Sequence, residues 1–562
     1  MTGLDWAVLF TTLTVIVGYG LYRSRGSDTV DRFLLAGKSM PWYAMALSIM
    51  ATQASAVTFI STTGQAYADG MRFVQFYFGL PIAMVVLCAT VVPVFHRAKV
   101  FTAYEYLEQR FDAKTRALAS IIFLCQRGLS AGLTLYAPAI VLSVILGWPE
   151  RATILLMGVT VITYTTLGGV KAVTWSDVQQ MIIIFIGLVI ALITLVHLMP
   201  SAISFPDALY LAGAAGRLNA VTTDVDWNDQ FTLWSGLIGG TFLFLSYFGC
   251  DQSQVQRYLT GKSIAQSRLS LIFNAVAKIP MQFFILFIGA MVFVFYLFVQ
   301  PPVLFEQAEL DRIQTSGAFR PVAEQYSQAF ERRRQAALNL LEAHHAQSAA
   351  GVRQQTEAYR SAQHDIDGAR EQAARLVGSS GGDQDYSDTN YIFLSFVTKY
   401  LPVGLVGLII AVIFAATMSA SAGEINSLAT VTMVDLYKRY FHKQGSDHHY
   451  LMASRWCTIF WGAYAIVFAG WGRTLGSLIV AVNKVGSLFY GSLLGVFVLA
   501  FFFRRVRGTA AFFGMLAGEA AIFATRFFTG ISFLWYNVIG CAMVVATALV
   551  ITHIKASPVI SE

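Results

Sequence analysis

The feature that most constrains this chain is a recurrence. Apolar runs of about 20 residues follow one another from Trp6 almost to the C-terminus, separated by polar loops. A run of that length spans the ~30 Å hydrocarbon core as a helix, and lipid offers the backbone no hydrogen bonds, so such runs become helices. Composition agrees. The 562 residues are 56% hydrophobic and 13% charged, against about 25% charged in soluble domains. The chain therefore reads as an all-α integral membrane protein whose first partner is the lipid bilayer. The first run, Trp6 to Tyr22, has almost no basic residues before it and no small-residue cleavage motif, and is expected to be retained as a span. The five cysteines lie in apolar runs without metal-ligand spacing and read as small core hydrophobes. The net charge of +7 is scattered among short loops, which argues against nucleic acid and for membrane orientation.

Thirteen spans are expected, at about 5–22, 42–62, 73–95, 117–147, 151–168, 173–199, 232–256, 270–299, 402–437, 451–471, 475–503, 509–528 and 532–553. The loop "RSRGSDTVDRFLLAGKSM" and every second loop after it are rich in Lys and Arg. By the positive-inside rule the N-terminus lies outside and the C-terminus in the cytoplasm. Compact loops and the lack of an organelle-targeting signal suggest a bacterial inner membrane. Residues 300–388 interrupt the pattern with Gln, Ala, Glu and Arg, including "FERRRQAALNLLEAHHAQ", and end in the flexible "VGSSGGDQDYSD". Val322, Tyr326, Phe330, Leu340 and Leu341 make a ragged helical stripe, so a helical hairpin on the outer face is expected. It is either a partner site or an addition that transport does not need.

Two spans carry polar stretches at membrane depth: "SIMATQASAVTF" at 48–59 and "FLSYFGCDQSQVQRYLTGKS" at 244–263. Small residues and amides let a helix unwind there, which is tolerated only where protein or a water-filled cavity surrounds the backbone. The two spans stand five helices apart. Interrupted helices at matching positions of two halves point to an inverted-repeat secondary transporter rather than a channel or an enzyme. His344, His345, His448 and His449 sit as pairs in polar loops, with no carboxylate partner evident in the sequence.

At this point the residues resemble the sodium–solute symporters, the family of sodium/glucose, proline, iodide, multivitamin and monocarboxylate carriers. The matching segments are "FLLAGKSMPWYAMALSIMATQASAVTF", "FTAYEYLEQRF", "LTLYAPAIVLS", "TTLGGVKAVTWSDVQQ", "DQSQVQRYL" and "FAATMSASAGEINSLATVTMVDLYKRY", in the family's order. The resemblance implies the leucine-transporter-like fold of five plus five inverted helices. Residues 1–299 would hold the first span, repeat one and the start of repeat two; 300–388 the insertion; 389–503 the rest of repeat two; and 504–562 two accessory spans and a short tail. "LTLYAPAIVLS" is more similar to the iodide, vitamin and monocarboxylate branch than to the sugar branch.

The resemblance also implies a site. The family's shared sodium site falls on the carbonyls of Ala51, Ala54 and Ala416 and the hydroxyl of Ser419, oxygens suited to a hard cation. A second hydroxyl usual in the family is replaced by Ala420, and Ser421 points elsewhere because two residues of helix turn about 200°. Asp177 matches an aspartate near the ion path. Some relatives use it with hydroxyls that fall on Ala422 and Gly423, so that second sodium site is expected to be absent. Glu424, one turn below Ala420, is an intramembrane carboxylate, read either as an ion or proton path or as a structural partner of Arg127. For substrate, the resemblance points to Gln53, Asp251, Gln254, Lys278 and Asn483. Asp251 stands where the sugar carriers have an asparagine, and Gln254 where they have a gating tyrosine. Lys278 and Lys484 would favour a carboxylate, while Asp251, Gln53 and Asn483 suit a sugar, polyol or amine. The expected function is symport of a small polar organic solute with sodium, not an enzyme activity. The alternatives are a proton-coupled carrier using Asp177 and Glu424, and a membrane sensor reading a ligand at 300–388.

Overall fold

The computed structural model describes residues 2–23, 29–146, 148–379, 386–470 and 478–556. Part of the 377–388 stretch, the start of the span expected at 475–503 and the end of the tail lie outside the described residues. Helix α1 (Gly3–Arg23) is followed by the short α2 (Val30–Leu35). The second expected span is two half-helices, α3 (Trp42–Gln53) and α4 (Ala56–Asp69). Then come α5 (Leu80–Ala89), α6 (Val91–Ala98), the loop helix α7 (Ala103–Arg110), α8 (Ala113–Leu146) and α9 (Glu150–His197). After α10 (Phe205–Ala214), the seventh expected span is again two halves, α11 (Gly240–Gly249) and α12 (Gln252–Leu259), and α13 (Ile264–Phe298) follows. The insertion carries α14 (Gln307–Gln314), α15 (Phe319–His345) and α16 (Ala349–Ser379). The chain then runs through α17 (Ile392–Tyr400), α18 (Leu405–Val431), α19 (Asp447–Ala469), α20 (Leu478–Phe502), α21 (Gly508–Phe528) and α22 (Phe533–Ala556).

Among the described residues, ten helices are long and apolar enough to cross a membrane. The remaining expected spans are the two broken ones and the first limb of α9. That long helix folds at Gly169, whose φ of 58° and ψ of −169° lie outside any helix. A Cβ there would sit 2.7 Å from the Phe33 carbonyl oxygen, so both the turn and the close approach require glycine.

The two breaks differ in their backbone. At the first, Ala54 (φ −101°, ψ 63°) ends α3 and Ser55 (φ −72°, ψ 172°) starts α4. At the second, Cys250 (φ −125°, ψ −24°) ends α11 and Asp251 (φ −80°, ψ 118°) starts α12. α18 runs unbroken beside them, with every residue from Ile409 to Val431 buried. Its start is tied to the N-terminus of the chain, where the Asp5 carboxylate accepts hydrogen bonds from the amides of Gly404 at 2.6 Å and Gly407 at 3.2 Å. The beginnings of α1 and α18 therefore lie on one side of the membrane.

The insertion is helical, as its stripe implied, and the raggedness of that stripe has a cause. Val322, Tyr326 and Phe330 pack into a private core with Ile313, Ile366 and Ala373. Leu340 and Leu341 instead join the main core of the transporter. One helix thus serves two cores. The expectation that the paired histidines lack carboxylates is corrected for one of them: His345 Nε2 lies 2.7 Å from Asp207 of α10. Its neighbour His344 stacks on Tyr210, the ring centroids 3.7 Å apart.

Candidate functional site

Between the two breaks lies a cavity. The first break gives it Thr52, Gln53, Ser55 and Thr58; the segment after α4 gives Phe76 and Tyr77. α8 contributes Arg127, Ser130 and Thr134, α11 contributes Phe244 and Tyr247, α18 contributes Ala420 and Glu424, and α20 contributes Asn483 and Tyr490. Aromatic walls with a few convergent polar groups are what a small-solute site needs.

Five helices meet at Arg127. Its guanidinium donates to Glu424 Oε1 at 2.8 Å, to the Tyr490 hydroxyl at 2.9 Å, and to Asp251. Tyr490 in turn donates to Asp251 at 3.1 Å, and Ser130 to Glu424 at 3.2 Å. Arg127 also lies over the Tyr247 ring, 5.6 Å from its centroid. A planar guanidinium with five donors in a fixed fork suits the holding of two carboxylates and a phenol at once. Glu424 keeps Oε2 without a protein partner.

The structure redistributes the expected substrate residues. Gln53 and Asn483 line the cavity. Asp251 does not: it is fully buried, caps α12 by accepting the Ser253 amide at 2.8 Å, and pairs with Arg127. The structure sets it behind the cavity wall, where its carboxylate is held by the helix start and by the nearest cation. Gln254 is likewise behind the wall, donating to the Tyr247 hydroxyl at 2.7 Å. Lys278 is fully buried on α13, its Nζ unpartnered and 5.5 Å from the centroid of the Tyr77 ring, so one aromatic side chain separates it from the cavity. Lys484 is exposed on α20. Sequence reasoning missed Tyr247, Tyr490 and Thr134. The first two were legible only as aromatic residues in apolar runs.

The residues implied for sodium are all buried: Ala51 and Ala416 at 1% exposure, Ala54 and Ser419 at 0%. Helix α3 stops at Gln53, and a helix end leaves its last carbonyls without intrahelical donors. These oxygens and the Ser419 hydroxyl are the hard donors a sodium ion takes. Ser419 Oγ donates to Asp177. The other oxygen of Asp177 meets Arg257 Nη1 at 2.9 Å and the Ser48 hydroxyl. Gly423 leaves room for this arginine, since a Cβ there would run into Arg257 Nη2. The Arg257 guanidinium therefore takes the space beside Gly423.

On the α12 side of the cavity the helices are sealed. Every residue of α12 is buried. Gln252 bridges the Ala103 amide and the Phe101 carbonyl, at 3.0 and 2.9 Å, and Gln256 donates to the Leu34 carbonyl at 2.7 Å. Further along, Arg116 joins Glu108 at 2.7 Å and Asp435 at 2.6 Å. Among the described residues these contacts pack the α12 side of the cavity closely.

The family model described as the sodium:solute symporter family matches residues 33–306 and 373–518. The chain belongs to this family. It is a sodium-coupled solute symporter, with the leucine-transporter-like fold and a small-molecule substrate. It is 30% identical over 519 residues to the human sodium-coupled monocarboxylate transporter 1, covering 92% of this chain and 72% of that one. To the sodium/sialic acid symporter of Proteus mirabilis (strain HI4320) it is 26% identical, over 96% and 93% of the two chains. The solved structure of a Na+-coupled sialic acid symporter, substrate-bound and outward-open, superposes with a TM-score of 0.76 at 24% identity, covering 98% of each chain. The unmatched stretch, 307–372, holds most of the insertion.

Proposed function

We propose that the solute is a small organic carboxylate carrying a hydrogen-bond donor, such as a hydroxyl or amine, and that it is imported with sodium by alternating access around this cavity. The observation that carries the reading is the start of α4. No side chain caps it, and its first turn borders the cavity through Ser55 and Thr58. Free amides at a helix start attract an anion, and half-helix starts serve this purpose in broken-helix carriers. Gln53 offers a further amide beside them, and the free Glu424 Oε2 across the cavity suits the donor of the solute. Arg127 is less available as a carboxylate anchor because Asp251 and Glu424 already hold it. The names of the relatives, monocarboxylate and sialic acid carriers, agree with an acidic solute. We further read the orientation as N-terminus outside and C-terminus cytoplasmic from the basic loops, and the membrane as a bacterial inner membrane from the compact loops.

Sodium-driven uptake into proteoliposomes tests this, with labelled N-acetylneuraminate and lactate as tracers and the uncharged galactose, glycerol and lactamide as competitors. Uptake of an acid, unaffected by the neutral competitors, is expected. Uptake of labelled galactose or glycerol with no competition by either acid would sink the carboxylate reading.

A further inference from the structure

Several polar contacts tie the stretch that the family model leaves out to the rest of the chain; Tyr326, for one, donates to the Pro301 carbonyl at 3.2 Å. Arg333 donates to the Tyr296 carbonyl at 2.7 Å, Arg360 to the Ala214 carbonyl at 3.1 Å, and His345 meets Asp207. These three fix the insertion to α13 and α10. Another contact is different. Arg370 of α16 pairs with both carboxylate oxygens of Asp388, at 2.8 and 2.9 Å, and its guanidinium covers the Phe305 ring, 4.9 Å from the centroid. Asp388 also accepts the Phe305 amide at 2.7 Å. The side chains of Arg370 and Asp388 are 17% and 10% exposed, so the pair is screened little by water.

Asp388 opens a short segment that lies against the middle of α4 and the start of α20. The Thr389 carbonyl rests against Gly64 of α4 so closely that any side chain at 64 would collide with it. Asn390 accepts the Leu478 amide at 3.4 Å, at the first turn of α20. The next amide, that of Ile479, donates to Ser61 of α4 at 3.3 Å, and Ile479 lines the cavity. Residues 388–390 thus bridge α4 and α20 on the side of the cavity opposite the sealed α12.

We propose that Arg370 is a positioning residue for access to the cavity: through Asp388 it holds the 386–391 segment against α4 and the start of α20, so that the insertion sets how readily the cavity opens on that side. This departs from the expectation that the insertion is a dispensable addition. Two faces of the same added domain are anchored to α10 and α13, and the third grips the segment that bridges α4 and α20. Loss of the grip loosens the segment without unseating the domain, because the contacts to α10 and α13 remain.

The full chain in lipid nanodiscs, exposed to water on both faces, allows a test that needs no known solute. A reporter cysteine replaces Val482, which lines the cavity. The probe is a charged methanethiosulfonate reagent in sodium buffer, read against the protein without that cysteine. Arg370→Ala is expected to raise the labelling rate at least fivefold, Asp388→Asn to do the same, and the double variant to go no further than the larger single effect. Arg370→Lys should stay within twofold of the parent. If Arg370→Ala fails to assemble, Arg370→Gln is read in its place. An unchanged or slower rate overturns the proposal, as does a lowered melting temperature with normal labelling, which would make the contact structural only. Multiplying effects in the double variant also overturn it, since two ends of one contact cannot act independently.

Discussion

The two helix breaks occupy matching positions in the two halves of the fold, yet their chemistry is opposite. At the first, Ser55 leaves the start of α4 without a side-chain cap, and the surrounding Thr52, Gln53 and Thr58 face the cavity. At the second, Asp251 caps α12 through the Ser253 amide, and Arg127 balances its charge. An uncapped helix start favours an anion, whereas a capped one has that role met by the protein itself. On the function proposed above, the first break serves the solute and the second is a structural joint. Position in an inverted repeat therefore tells where a helix will open, not what the opening is for.

The largest effect that could break this contrast is at Arg127. Arg127→Met should leave Asp251 and Glu424 buried without a cation, a loss of about 3–5 kcal/mol as for a broken buried ion pair. The expected outcome is a protein that assembles poorly, seen as low yield and early thermal unfolding in detergent. A stable Arg127→Met protein with weakened solute binding would instead make the second break part of the recognition site.

Next in size is a swap of character. Ser55→Asp gives the first break the cap that the second already has. The helix start should gain about 0.5–2 kcal/mol, while a carboxylate beside an anionic solute costs several kcal/mol. The expected readout is a protein at least as heat-stable as the parent with acid uptake reduced more than a hundredfold. Uptake that survives would place the solute away from α4.

Asp251→Asn comes third. The amide oxygen can still cap α12, and Arg127 keeps Glu424, so the loss is that of a charged hydrogen bond, about 1.5–3 kcal/mol. It should appear in the melting temperature and not in solute selectivity. A changed solute preference with unchanged stability would restore the recognition role that the sequence suggested.

How much of this was legible beforehand follows from which interactions are local. The unwinding at 54–55 and 250–251 was readable because small and amide residues stand out in an apolar run. The sodium residues came from a resemblance carried position by position. The fate of Asp251 was not readable, because its partner Arg127 is 124 residues away and its use as a cap depends on where α12 starts. The same holds for Asp177, whose partner Arg257 fits only because Gly423 has no side chain. A carboxylate in a span announces that it must be satisfied; the fold decides by what.

The smallest effects give the sharpest test, because they compare two glutamines of similar setting. Gln53 borders the first break and faces the cavity, its Oε1 without a protein partner. Gln254 borders the second and spends its Nε2 on the Tyr247 hydroxyl at 2.7 Å, buried behind the wall. Methionine keeps the length of either side chain and removes its hydrogen bonds. For Gln53→Met the loss should fall on the solute: one hydrogen bond, about 1 kcal/mol, or roughly a fivefold rise in the half-saturation constant. Thermal stability should hardly move, since no protein group is left unpaired at Oε1. For Gln254→Met the loss should fall on the protein, because the Tyr247 hydroxyl loses a buried partner, again at about 1 kcal/mol. There the melting temperature should drop by a few degrees at most and the half-saturation constant stay within twofold. Tyr247 does line the cavity, so its ring must hold its place for this to be so, and its packing on Arg127 and Tyr490 supplies that hold. If the two variants instead shift solute affinity alike, the breaks are functionally equivalent and the division between ligand site and structural joint is wrong.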